Sequence, residues 1–279
     1  MTEENLWIRD NWDQGKGRSV AIKLKCALES FQSRYQKIDV YQTECFGKML
    51  MLDDVIMFTE FDEFAYHEMI AHVALHVHPN PKRVLIIGGG DGGALREVLK
   101  HDVEGVHLCE IDEEVINVSK QYFPTLTSGF DDSRLRVYYE DGAKFIKDKR
   151  GAYDIIVVDS TDPWGPAEVL FEEEFYRDMH DALTNEGIVI TQSESMFYDQ
   201  DTIQNLFDFN KKIYPIVKYY YTLVPTYPSG TIGFSFCSKK YDPVKYLRAI
   251  KIDGLKYYNR DVHNAAFALP NFIKEIILI

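Results

Sequence analysis

The sequence predicts an α/β fold: a mostly parallel sheet with helices on both faces, preceded by a small N-terminal antiparallel β-sheet domain. Three observations carry that expectation. Between Val84 and Thr191, strand-like apolar runs alternate with helical ones, the pattern of parallel strands joined by helical crossovers. The loop Gly88-Gly89-Gly90-Asp91-Gly92-Gly93 lies between an apolar run and a helix-like stretch, where backbone can approach a nucleotide-like ligand. Ahead of both, residues 36–60 read as short strands separated by turn residues. The division that follows is residues 1–61 for the β-sheet domain and 62–279 for the larger one.

In the first domain, Ile38, Val40 and Tyr41 mark one strand, Met49-Leu50-Met51-Leu52 a second and Val55-Ile56-Met57-Phe58 a third, with Phe46-Gly47 and Asp53-Asp54 as turns. From Asp62 the period becomes helical, through Phe64, Tyr66, Met69, Ile70 and Val73, until His78-Pro79-Asn80-Pro81 stops it. Strands are then predicted at 84–87, 106–110, 135–139, 155–159 and 187–191, with helices at 94–100, 113–123, 142–147 and 172–183 between them. The runs 219–224 and 231–237, on either side of Pro225-Thr226-Tyr227-Pro228-Ser229-Gly230, predict a closing antiparallel pair. No internal repeat or low-complexity segment interrupts this order.

Composition narrows the function. A chain of 279 residues with 46% hydrophobic content can bury a substantial core. Its formal charge of -13, from 31 basic and 44 acidic side chains, disfavours a nucleic-acid binder and suits cationic small molecules. Cys26, Cys45, Cys109 and Cys237 form no CxxC pair, which predicts reduced thiols in a cytoplasmic protein. The start, Met1-Thr2-Glu3-Glu4-Asn5, is acidic, and no apolar run has membrane-spanning length, so no membrane partner is expected.

Ligands of open parallel sheets bind beyond the carboxyl ends of the strands, and here those ends are acidic. They carry Asp91, then Glu110-Ile111-Asp112, then Asp141-Gly142, then Asp159-Ser160-Thr161-Asp162-Pro163. Asp91 would repel a pyrophosphate, so its loop reads as a cradle for a nucleoside bearing a cationic group; Asp is also a favoured helix N-cap, and both readings stay open. Glu110 lies about twenty residues beyond the loop, where a carboxylate accepts from a ribose diol. Asp141 suits an adenine amino group, or an Asp-Gly turn. Asp159 and Asp162 could hold a diamine, or one could act as general base. Tyr66, Glu194 and Tyr227 are further candidates that spacing alone cannot bring to the site. His67-Glu68 before His72 is not HExxH, and His72 and His76, though four apart, show no third ligand, so no metal is expected.

These residues resemble the polyamine aminopropyltransferase family along nearly the whole chain. The matching segments are Tyr35-Gln36, Asp62-Glu63-Phe64-Ala65-Tyr66-His67-Glu68-Met69, the glycine loop through His101, Cys109-Glu110-Ile111-Asp112, and Asp159 through Trp164 to Glu168. Pro225 to Gly230, Tyr257-Tyr258-Asn259 and Asp261-Val262-His263 complete them. The resemblance implies a Rossmann-like, methyltransferase-type domain behind a small β-sheet domain, assembled as a homodimer or homotetramer. It implies aminopropyl transfer from decarboxylated S-adenosylmethionine, a co-substrate, to putrescine, giving spermidine and methylthioadenosine without a cofactor. By motif, Gln36, Asp91, Glu110, Asp141 and Gly142 would bind the donor. Tyr66, Asp159 and Tyr227 would surround the attacking amine, with His67, Asp162, Gln192 and Glu194 near the acceptor and the loop 160–171 closing over both. Met57 and His67 depart from the Gln residues of some eukaryotic members and resemble bacterial forms. The alternatives are another acceptor, such as cadaverine, agmatine or a longer polyamine, a non-catalytic nucleoside-binding protein, or a methyltransferase, against which the acid in the glycine loop counts.

Overall fold

Residues 6–12, 14–163 and 165–277 are described by a computed structural model. The N-terminal Met1 to Asn5 and Trp164 of the acidic motif lie outside them. Two sheets organise the chain, one of five strands and one of seven.

The five-stranded sheet runs in sequence order through β1 (Trp7–Arg9), β2 (Ala21–Gln32), β3 (Lys37–Thr43), β4 (Lys48–Leu52) and β5 (Val55–Thr59), every pairing antiparallel. Residues 36–60 fold as their alternation predicts. β1 and β2 went unread, because β2 mixes Lys23, Lys25 and Glu29 among its apolar residues and shifts register against β3 twice. Ile38, Val40, Leu50, Leu52 and Phe58 pack against Val115, Val118, Phe123 and Leu126 of the second unit. This apolar seam fixes the small sheet against the segment 115–126 of the larger unit.

Helix α1 (Glu63–Val77) follows, buried on nearly every side. A helix in that position must satisfy its own polar side chains. Glu68 does so by accepting backbone N–H groups of Lys256, Tyr257 and Tyr258 at 2.8, 2.9 and 2.8 Å, which fastens a C-terminal segment to α1.

The larger sheet contains β6 (Arg83–Gly88), β7 (Gly105–Cys109), β8 (Leu135–Tyr138), β9 (Tyr153–Asp159), β10 (Leu183–Gln192), β11 (Ile216–Leu223) and β12 (Thr231–Ser238), in the order β11-β12-β10-β9-β6-β7-β8. β6 to β10 are parallel, and β12 is antiparallel to both its neighbours. The central strands are apolar on both faces, as parallel strands covered by helices must be. Those helices are α2 (Gly93–Leu99), α3 (Glu113–Tyr122), α4 (Gly142–Ile146), α5 (Glu173–Ala182) and α6 (Gln200–Ile213), with α7 (Arg260–Ala266) and α8 (Asn271–Ile277) at the C-terminal end. The predicted strands lie where expected, within a few residues at their ends. α6, α7 and α8 were not predicted. Among the described residues no helix is long and apolar enough to cross a membrane.

Candidate active site

The chain order reverses between β6 and β9, since β7 and β8 extend the sheet to one side and β10 and β12 to the other. At that point Gly88 pairs with Asp159, and the Gly89 N–H donates to the Asp159 carbonyl at 2.8 Å. Gly88 has φ +77, and a Cβ there would collide with the same carbonyl. A Cβ on Gly93 would enter the His67 ring. The loop is glycine-rich because β9 on one side and α1 on the other press against its backbone.

Gln36, Asp91, Glu110, Asp141 and Gly142 all line one cavity at these strand ends. Glu110 accepts N–H bonds from Gly90 at 3.1 Å and Asp112 at 2.9 Å, yet burial pushes its carboxyl up to about 7. Asp112 caps α3 through Glu114 N–H and accepts from the Gln36 amide at 3.1 Å, so Gln36 reaches the cavity from the other sheet. Asp141 caps α4, accepting from Ala143 N–H at 3.0 Å. Its local role is that of a helix cap rather than of an Asp-Gly turn, and it lines the cavity as well.

Asp91 accepts the Gly93 N–H at 2.6 Å, serving the start of α2 much as a cap would, although the N-cap position itself is Gly92. Its Oδ1 also lies 3.4 Å from His67 Nε2. His67 Nδ1 is 2.7 Å from Glu63, which a fork from Arg96 grips at 3.1 and 2.9 Å. Burial opposes charge on His67, but Asp91 and Glu63 outweigh it and hold the imidazole protonated well above its ordinary range. Burial likewise works to raise Asp91, while His67 and the Gly93 N–H hold it below the usual carboxylate range. The result is an ionised acid inside a glycine loop. His67, Asp91 and Asp159 lie close enough to share a cation, but both His67 nitrogens are committed to carboxylates and offer no lone pair.

At the inner end of this cavity the Tyr66 hydroxyl donates to Asp159 Oδ1 at 2.8 Å, while Asp159 Oδ2 is buried without a partner. Burial, reinforced by the Asp91 charge, pushes the Asp159 carboxyl up to about 7. The Tyr227 hydroxyl donates to the Met57 carbonyl at 2.6 Å, and its ring centroid is 6.5 Å from that of Tyr66. A second cavity begins here: Met57, Tyr66, Ser160, Thr161 and Tyr227 line both.

Asp162, Gln192 and Glu194 line the second cavity, together with Asp10, Trp12 and Asp199. The Gln192 amide bridges two of the acids, at 3.0 Å to Asp162 and 3.3 Å to Glu194. Burial raises Asp162 to about 6, with the charges of Asp199 and Asp10 adding to it. Burial and the Asp162 charge push Glu194 well above its ordinary range. His67, expected near the acceptor, instead stands on the first cavity's wall beneath Asp91.

Asp10, Trp12 and Asp199 were missed. Asp10 and Trp12 precede any periodic pattern, and Asp199 resembles an N-cap of α6. It makes no cap bond and pairs with Lys16 at 3.1 Å.

Acids at a strand crossover thus line two adjoining cavities that share Met57, Tyr66, Ser160, Thr161 and Tyr227. The sequence profile of the spermine/spermidine synthase domain matches residues 63–246, and that of the spermidine synthase tetramerisation domain matches residues 6–60. The chain is 50% identical over 275 residues to a polyamine aminopropyltransferase of Leptospira biflexa, covering 98% of each. It is 45% identical over 278 residues to a spermidine synthase of Schizosaccharomyces pombe, covering 97% of this chain and 93% of that one. A crystal structure of spermidine synthase in complex with the transition-state analogue AdoDATO superposes with a TM-score of 0.96 at 42% identity, covering 100% of this chain and 97% of that chain. The chain belongs to the spermine/spermidine synthase family of aminopropyltransferases.

Proposed function

We propose that the chain transfers the aminopropyl group of decarboxylated S-adenosylmethionine to putrescine, as a spermidine synthase. The observation that carries this reading is the junction of the two cavities at Tyr66, Tyr227 and the unpartnered Oδ2 of Asp159. One cavity suits a nucleoside whose ribose meets Glu110 and whose ammonium meets Asp91. The other holds acids spaced along a slot, as a diammonium requires.

The reaction needs no covalent nucleophile. The acceptor nitrogen forms a bond to the methylene beside the sulfonium, and the C–S electrons return to sulfur, leaving the neutral thioether methylthioadenosine. The nitrogen must first lose a proton, and Asp159 is placed to take it, with Tyr66 and Tyr227 orienting the amine. An ordinary carboxyl titrates ~6 pH units below an alkylammonium. A carboxyl raised to about 7 halves that gap. Tyr66 therefore orients without quenching, since Oδ2 remains available. His67 holds Asp91 ionised and in place, a supporting role rather than a contact with the acceptor.

Several accompanying readings belong to the same proposal: a homo-oligomeric assembly, a dimer or tetramer, division of the chain at 61/62, and a cytoplasmic setting supported by four free cysteines. No metal or cofactor takes part in the proposed chemistry. The test is to mix the purified protein with decarboxylated S-adenosylmethionine and a panel of amines and to identify products by mass spectrometry. Spermidine and methylthioadenosine, dependent on putrescine, are expected. A preference for agmatine or cadaverine would change the acceptor, and no methylthioadenosine with any amine would overturn the reading.

A further inference from the structure

His72, His76 and His101 are not used by this chemistry, and they converge. The two α1 histidines share a helix face by their spacing, and His101, just beyond α2, meets them across the helix pair. The ring centroids are 5.7 Å apart for His72 and His76, 5.0 Å for His72 and His101, and 4.8 Å for His76 and His101. Three imidazoles bound tetrahedrally to one ion at about 2.0–2.1 Å would have centroids roughly 5 Å apart. One nitrogen from each ring already lies within 4.8 Å of the others.

The opposite edges of two rings are pinned. His72 Nε2 is 2.9 Å from a Glu97 carboxylate oxygen, and His76 Nδ1 is 3.0 Å from the His72 carbonyl. Those acceptors fix protons on the outer nitrogens and leave His72 Nδ1 and His76 Nε2 as lone-pair donors, the outer-shell arrangement typical of histidine metal ligands. His72 Nδ1 faces His101 Nε2 at 2.8 Å, so one proton lies between two nitrogens that could both bind a cation. Glu97 supplies the nearby negative charge, shared with Arg96 and Lys100. Arg248, whose backbone N–H reaches the His76 carbonyl at 2.9 Å, is the opposing cation.

We propose that His72, His76 and His101 form a site for one borderline divalent cation of the Zn²⁺ or Co²⁺ type, tying α1 to the end of α2. On binding, three nitrogen–metal bonds form, and the proton between His72 and His101 moves to His101 Nδ1, so that all three imidazoles bind neutral. The ion is redox-silent there and bridges two elements that also carry His67 and Arg96.

The test uses full-length protein without a polyhistidine tag, stripped by chelator. Co²⁺ is followed by its visible d–d absorption and Zn²⁺ by competition with a chromophoric chelator. One ion per chain is expected, with affinity falling at least about 100-fold in His101→Asn and in His76→Gln, and by about 10- to 100-fold in Glu97→Gln. Zinc should raise the melting temperature of the parent chain and of His67→Gln, but not of the two ligand variants. Circular dichroism identifies a ligand variant that fails to fold, and the other then decides. Binding no tighter in the parent than in these variants overturns the proposal. So does loss of binding in His67→Gln with retention in His101→Asn, which would place the ion at the reaction site.

Discussion

Replacing Asp91 by Asn removes one charge and little volume. The Gly93 N–H at 2.6 Å can still be accepted by the amide oxygen, so the loop should hold its shape. What is lost is the charge-assisted contact with the donor's ammonium, worth about 1.5–3 kcal/mol. Binding of decarboxylated S-adenosylmethionine should therefore weaken roughly 10- to 150-fold. The carboxylated parent should respond differently, because in the native site its carboxylate faces Asp91 and repulsion offsets the ammonium contact. Its affinity should change by less than about threefold, so discrimination between the two donors should collapse by about the factor lost for the first. Isothermal titration of both donors at low salt measures this directly. His67→Gln serves as a control, because it should loosen Asp91 without removing its charge. Equal weakening for both donors would refute the charge-selection argument, and unchanged affinity for the decarboxylated donor would refute the placement of the ammonium.

Asp159→Asn should lower kcat by about 10²- to 10⁴-fold with little change in donor affinity, measured by rapid quench and titration. In the parent enzyme, kcat/KM for the diamine should fall as pH drops through about 7, where Asp159 takes up its proton, and further through about 6 as Asp162 does. A profile flat from pH 8 to 5.5 would contradict both assignments. Stability of the ligand-free chain should run the other way. Asp159, Glu110 and Asp162 have folded pKa values of about 7, about 7 and about 6, above their unfolded values, so the folded state binds more protons between about pH 4 and 7. The stability these three carboxyls contribute should thus decline as pH rises across that window, while His76 and His101, lowered by burial to about 3 and about 2, bind fewer protons folded than unfolded and act in the opposite direction. Glu63, lowered to about 2, acts only below it. Glu110→Gln should flatten that decline by differential scanning fluorimetry and weaken methylthioadenosine binding about 5- to 30-fold.

The parallel sheet was legible because its strands are runs such as Val84-Leu85-Ile86-Ile87, apolar on both faces and bounded by glycine or acid. β2 was not, because its exposed edge tolerates Lys and Glu and only Ile22 and Leu24 need burial. The acids of the first cavity could be read because strand ends converge by topology. Asp10, Trp12 and Asp199 could not, since their proximity depends on how the N-terminal segment lies across β10 and α6. The same limit concealed His101, a residue near the end of α2 whose partners are on another helix. The partners of His67 were hidden for a related reason: sequence puts it next to Tyr66, but one residue along a helix turns the side chain by roughly 100°, here toward Glu63 and Asp91.

The Tyr227 hydroxyl bond to the Met57 carbonyl connects the larger unit to β5, and Asp62 accepts the hydroxyl of Thr59 on β5 at 2.7 Å as well as the backbone N–H and hydroxyl of Thr226 at 2.9 and 2.8 Å. These bonds make the small sheet a structural wall of the reaction chamber, not an appendage concerned only with assembly. Excising it would remove Asp10 and Gln36, leave the acids of the larger unit, unroof the chamber and release Tyr227 from its anchor. Turnover would then report whether the two units are docked. Any force that prises them apart, from a crowded oligomer contact to a destabilising change at the apolar seam, would be felt first as lost rate and only later as unfolding.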